Sequence, residues 1–139
     1  MFWEIDCRVH VQKNAEKQNV DISVVVDDVI KNYGEYLMYI KSRGFDVWTF
    51  GPPCTQSDSA IIDPRYPRYG TEIERNKISQ VFNDKLKKFC DNNGIKFRTL
   101  FPKLIDKDFS SIDGALCDGC HLDEKWYAEI ERLFFDEAY

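Results

Sequence analysis

Phe45-Asp46-Val47-Trp48-Thr49-Phe50-Gly51-Pro52-Pro53 is short, aromatic and β-branched, and it stops at a glycine followed by two prolines. Such side chains suit a pleated surface, and proline cannot donate to a ladder, so the segment predicts a strand over 45–50 ending in a sharp turn. Its flanks decide the fold. Upstream, Val25, Val26, Val29, Ile30, Tyr33, Leu37 and Ile40 recur at helical spacing between Asp21 and Ser42, and Gly44 stands where a left-handed C-terminal cap belongs. Downstream, Thr71 and Glu74 have the spacing of a capping box. They predict a helix running to Asn93 with Ile73, Ile78, Val81, Phe82, Leu86, Phe89 and Cys90 inward and Gly94 at its exit.

Working outward, Ile95 to Phe101 predicts another strand, and Asp123 to Glu137 a last helix burying Trp126, Ile130, Leu133 and Phe134. At the other end, Phe2 to Val11 alternates apolar and polar residues and predicts a first strand, with Gln12 to Asn19 a polar linker. Strand, helix, strand, helix, strand, loop, helix is the pattern of right-handed crossover units on a parallel sheet covered by helices. The expected class is therefore α/β, with residues 1–139 as one domain, since no repeat or low-complexity tract divides them. The segment Thr55 to Gly70 is long for a connection inside such a domain, and loops of that length are often functional.

Bulk composition narrows the partners. The net charge of −5 comes from 24 acidic and 19 basic residues interspersed along the chain, which argues against a nucleic-acid partner. No stretch approaches the roughly 20 apolar residues needed to span a bilayer, and the start lacks the basic and apolar regions of a signal peptide. The expectation is a cytoplasmic chain with no membrane association. Cys7, Cys54, Cys90, Cys117 and Cys120 are odd in number and scattered, and read as reduced thiols.

In open parallel sheets ligands bind outside the carboxyl ends of the strands. Three segments answer that description, Asp6 to His10, Gly51 to Gln56 and Cys117 to His121, and they hold both histidines of the chain. Asp118 lies three residues before His121, a separation that lets the carboxylate accept the imidazole N–H and leave the other ring nitrogen to take a proton. The same spacing also suits a plain surface loop that caps the following helix. Cys117-Asp118-Gly119-Cys120-His121 further matches a c-type haem attachment pattern, and Cys7, His10, Cys117 and Cys120 could supply four zinc ligands. Haem would need a second axial ligand. Zinc would need the strand to end between Cys7 and His10, because residues three apart on a regular strand face opposite ways. Glu4, Asp6 and Arg8 alternate toward one strand face and either pair there or place Arg8 at a pocket rim.

Together these segments resemble the SGNH/GDSL hydrolases. Asp118-Gly119-Cys120-His121 is similar to the Asp-x-x-His block ahead of that family's final helix, and Trp3-Glu4-Ile5-Asp6-Cys7-Arg8 resembles a Gly-Glu-Ile-Asp-x-Arg strand end found in members associated with sugar modification. The Tyr69-Gly70-Thr71-Glu72 helix entry fits the same group. The resemblance implies a flavodoxin-like parallel sheet and hydrolysis of a small ester, such as an O-acetyl group on a sugar. It makes His121 the base and Asp118 its orienter, puts the substrate-binding or oxyanion region around Asp6, Arg8, His10 and Pro53, and calls for neither metal nor cofactor. The family's Gly-Asp-Ser nucleophile block is absent, and Trp3 and Ile5 depart from the usual glycine and asparagine. The expectation is a hydrolase fragment whose serine lies outside this chain, with a second chain or another copy covering an exposed strand edge. The alternative is a non-catalytic binding or structural α/β protein derived from the same family.

Overall fold

The computed structural model describes residues 10–61, 64, 67–119 and 121–135. In chain order these form α1 (Val11–Gln18), α2 (Ile22–Ser42), β1 (Trp48–Phe50), α3 (Glu72–Asn93), β2 (Lys96–Arg98), the short α4 (Phe101–Leu104), a 3-10 turn (Glu124–Trp126) and α5 (Tyr127–Phe135). β1 and β2 pair in parallel, with Trp48 opposite Lys96, Thr49 opposite Phe97 and Phe50 opposite Arg98. The described part is thus mixed helix with a small two-stranded parallel sheet, compatible with the α/β class.

Strand alternation sorts the side chains into two layers. Thr49 and Phe97 face α2 and α3: the Thr49 hydroxyl bonds the Tyr33 hydroxyl at 3.1 Å, and Phe97 packs on a core of Val26, Ile30, Leu37, Phe82, Leu86 and Cys90. Trp48 and Phe50 face the other way onto Phe134 of α5, Trp48 tilted at a ring separation of 5.5 Å and Phe50 stacked at 6.0 Å. A smaller core of Cys54, Leu100, Leu104, Ala115 and Leu133 continues that second layer, closed by Trp126 and Ile130. Arg98 Nε donates to the Leu133 carbonyl at 2.7 Å and fastens β2 to α5.

The helix ends follow from the sequence signals. Asp21 caps α2 by accepting the Ser23 N–H at 2.7 Å, and Gly44 takes the left-handed conformation just beyond the helix, at φ +88°. Thr71 and Glu74 form a reciprocal capping box at the start of α3, and Gly94 caps its end at φ +59°.

Four sequence expectations are corrected. Val11 opens helix α1 rather than closing a strand, and the supposed linker from Gln12 is that helix, held because Val11 and Ala15, four apart, are both buried. His10 stands at the head of that helix, and residues 2–9 of the expected strand, including Asp6 and Arg8, lie outside the described residues. Ile73 is 39% exposed instead of buried, since it sits in the first turn of α3 ahead of the part that meets the core. Phe101 leaves the strand and begins α4, where Pro102 is tolerated because the first helical N–H groups lack partners anyway. The last helix starts as a 3-10 turn capped by Asp123 and becomes α-helical only at Tyr127. No described helix is long and apolar enough to cross a membrane.

Candidate functional site

The loop 117–121 is a closed turn. Leu116 and Leu122 form an antiparallel bridge, and the Cys117 N–H donates to the His121 carbonyl at 2.9 Å. Gly119 supplies the left-handed step, φ +78°, that brings the chain back on itself. Within this turn Asp118 makes two bonds to His121. One carboxylate oxygen accepts the backbone N–H at 2.7 Å, and the other lies 2.7 Å from Nδ1. An ionised carboxylate only accepts, so this contact favours the Nδ1–H tautomer of a neutral ring. Both side chains are more than half exposed, 54% for Asp118 and 74% for His121, so their pairing orients the ring more than it stabilises the fold.

The turn abuts the loop that follows β1. A Cβ built on Gly119 would lie 3.3 Å from Cβ of Ala60 and 4.0 Å from Cβ of Gln56. Between the two loops lies a cleft of about 200 Å³, walled by Thr55, Ser57 and Ala60 on one side and by residues 111–116 and Gly119 on the other. Its first wall belongs to the loop that leaves the carboxyl end of β1, the kind of loop that holds ligands in open parallel sheets.

Two consecutive buried residues at the start of α3, Arg75 and Asn76, each fully shielded from solvent, hold both walls. Asn76 Oδ1 accepts the Thr55 N–H at 2.8 Å, while its Nδ2 donates to the Phe109 carbonyl at 2.8 Å and to the Ser111 hydroxyl at 3.1 Å. Ser111 Oγ donates in turn to the Thr55 carbonyl at 2.7 Å. Arg75 donates to the Thr55 hydroxyl, the carbonyls of Gln56 and Gly70, and the Asp58 carboxylate. Arg68 adds bonds to the carbonyls of Ser57 and Asp58. Asp58 also receives the Glu72 N–H at 2.9 Å. That backbone bond first, and the Arg75 guanidinium second, hold its carboxyl below the ordinary carboxylate range.

The structure brings Asp118 and His121 together and does not gather the other candidates with them. His10 is exposed at the start of α1. Pro53 is half-buried in the turn after β1, and neither it nor the Asp118–His121 pair lines the cleft. Asp6, Arg8, Cys7 and Cys120 lie outside the described residues. Among the described residues no three His, Cys, Asp or Glu side chains are grouped so as to hold a metal ion. Cys117 is exposed, whereas Cys54 and Cys90 are buried, and burial pushes the Cys90 thiol up to about 11.

Sequence reasoning missed Arg75 and Asn76. The signal was present: Asn76, Ser79, Asn83, Leu86 and Cys90 follow one another at spacings of three and four, a single helical stripe. All five are buried, polar in the first half and apolar in the second. The polar half supports the loops at the strand ends, and the apolar half enters the core.

Fold and site define a mixed helix and parallel-sheet protein with an oriented carboxylate–imidazole pair and a walled cleft beside it. No protein-family model, curated protein or solved structure matches the chain.

Proposed function

We propose that the chain carries the acid–base portion of an SGNH/GDSL-like ester hydrolase, on a sheet of flavodoxin-like type, acting on a small ester such as an O-acetylated sugar. His121 is the base, Asp118 orients it, and the serine nucleophile comes from outside this chain. The observation that carries this reading is the 2.7 Å contact between the Asp118 carboxylate and His121 Nδ1, in a turn that ties the same carboxylate to the His121 N–H. An imidazole held in that way presents Nε2 as a proton acceptor, the arrangement a hydroxyl nucleophile needs. Several described hydroxyls are already engaged: Ser42 donates to the Tyr39 carbonyl, Ser111 to the Thr55 carbonyl, and Ser57 and Ser59 bond each other at 2.6 Å.

The test has a spectroscopic and a kinetic arm. Nitrogen-15 shifts of the His121 ring should report the Nδ1–H tautomer, and Asp118→Asn should remove that preference, because the amide can offer a donor as readily as an acceptor. An unchanged tautomer in Asp118→Asn would sink the orienting role. On a chromogenic acetate ester any turnover above the uncatalysed rate should disappear in His121→Ala, and such turnover persisting there at full strength would sink the base assignment.

A second reading, a non-catalytic small-molecule binding protein, draws on the cleft itself, whose lining includes neither Asp118 nor His121.

A further inference from the structure

We infer that the cleft between the loop after β1 and the 111–119 segment is a binding site for a small uncharged, hydroxyl-bearing molecule, and that Asp113 turns anionic ligands away from it. The inference stands whether or not His121 acts as a base.

The walls are fixed independently of any ligand. Asn76 bonds Thr55 on one wall and Phe109 and Ser111 on the other, while Arg75 anchors the first wall at Thr55 and Gln56. Burying a guanidinium and a carboxamide is costly unless every polar atom finds a partner, and here the partners are the two walls. A ligand entering such a cleft does not have to order it first. The volume of about 200 Å³ lies below the usual range of roughly 300–1,000 Å³ for drug-sized ligands, which limits the occupant to a small molecule.

The chemistry of the lining names the class. Thr55, Ser57 and Ser111 bring hydroxyl oxygens that are bonded within the walls yet each keep a lone pair to accept with, and Asp113 is the one charged residue in the lining. Arg75 and Arg68 donate to loop carbonyls and Asp58, and the Lys125 ammonium, which packs over Gly114 and donates to the Asp113 carbonyl at 3.4 Å, is not itself part of the lining. A carboxylate with hydroxyls around it accepts O–H donors and repels a phosphate or carboxylate.

Erythritol and erythronate, the same carbon skeleton without and with a carboxylate, separate the outcomes. In amide-resolved NMR titrations of the whole chain, erythritol should shift the Ser111, Gly114 and Gly119 signals along saturable curves. Erythronate at equal concentration should give less than a tenth of that response. Asp113→Asn, an exposed and isosteric change, should raise the ratio of the erythronate response to the erythritol response at least threefold. Equal responses to the two probes in the unmodified chain would overturn the inference, as would erythritol shifts that never saturate or a probe ratio unaltered in Asp113→Asn. None of these readouts depends on ester hydrolysis, so a failed hydrolase reading and a failed cleft are told apart.

Discussion

Asp58 is exposed over about half of its side chain, yet it ties three things together: the first N–H of α3, the buried Arg75 and, through its own carbonyl, Arg68. Its carboxyl is held below the ordinary value near 3.8, so the folded state binds its proton less readily than the unfolded chain does. The linkage sign follows from that. The contribution of Asp58 to stability is complete above the unfolded value and is lost as the pH falls through the lower folded one. Asp58→Asn should therefore lower the urea midpoint at pH 7 and pH 5 by the same amount, and the gap to the unmodified chain should narrow below about pH 4. A gap that widened in acid would contradict this role.

At the scale of elements, Gly51 and α3 are cut to fit one another. The Gly51 N–H donates to the Arg98 carbonyl at 2.8 Å, continuing the ladder one residue past β1. There the backbone meets Asn83, whose Nδ2 bonds the carbonyls of Pro52 and Ser79 at 3.0 and 2.8 Å. A Cβ at position 51 would overlap Asn83 Oδ1 and come within 2.8 Å of Phe97 Cζ. Gly51→Ala should cost about 1–3 kcal/mol in chemical denaturation, the usual range for overpacking. Adding Asn83→Ala should recover part of that loss, as a coupled pair does in a double-mutant cycle, and strict additivity would refute the clash. The legibility of the sequence divides along the same helix. The capping box, Gly94 and the apolar stripe of α3 were readable because each depends on neighbours within a few turns. The roles of Arg75, Asn76 and Asn83 depend on loops 20 to 35 residues away, and a residue-type pattern cannot show which way those loops fold back. Helix α1 was misread for a related reason: it has only Val11 and Ala15 to bury, too short an apolar period to outweigh its polar composition.

At the scale of the molecule, the chain stacks helices α1, α2 and α3 on one side of a parallel pair and α5 on the other, and it leaves its polar loops where the strands end. The strands at 45–50 and 95–101 and the helices between and after them were expected at those places, though each strand is shorter than its sequence run. Asp118 and His121 were candidates from their spacing, and their contact depends on the turn at Gly119. The cleft was not legible, since its two walls are separated by more than fifty residues and are joined by the Ser111–Thr55 bond and by Asn76 of α3.

The packing of Trp48 gives this architecture an optical signature. Phe134 covers the indole from α5, and the Lys96 ammonium and Arg98 guanidinium lie 4.3 and 5.4 Å from its ring centre. Asp46 closes the group: its carboxylate accepts the Trp48 indole N–H at 3.1 Å and pairs with the Lys96 ammonium at 2.7 Å, so the charges at the ring largely offset and the Phe134 cover controls access. Acrylamide quenching attributable to Trp48, read as the difference from Trp48→Phe, should rise in Phe134→Ala, and no rise would refute the cover. Light emitted from one residue of β1 would then report whether the last helix is seated on the sheet.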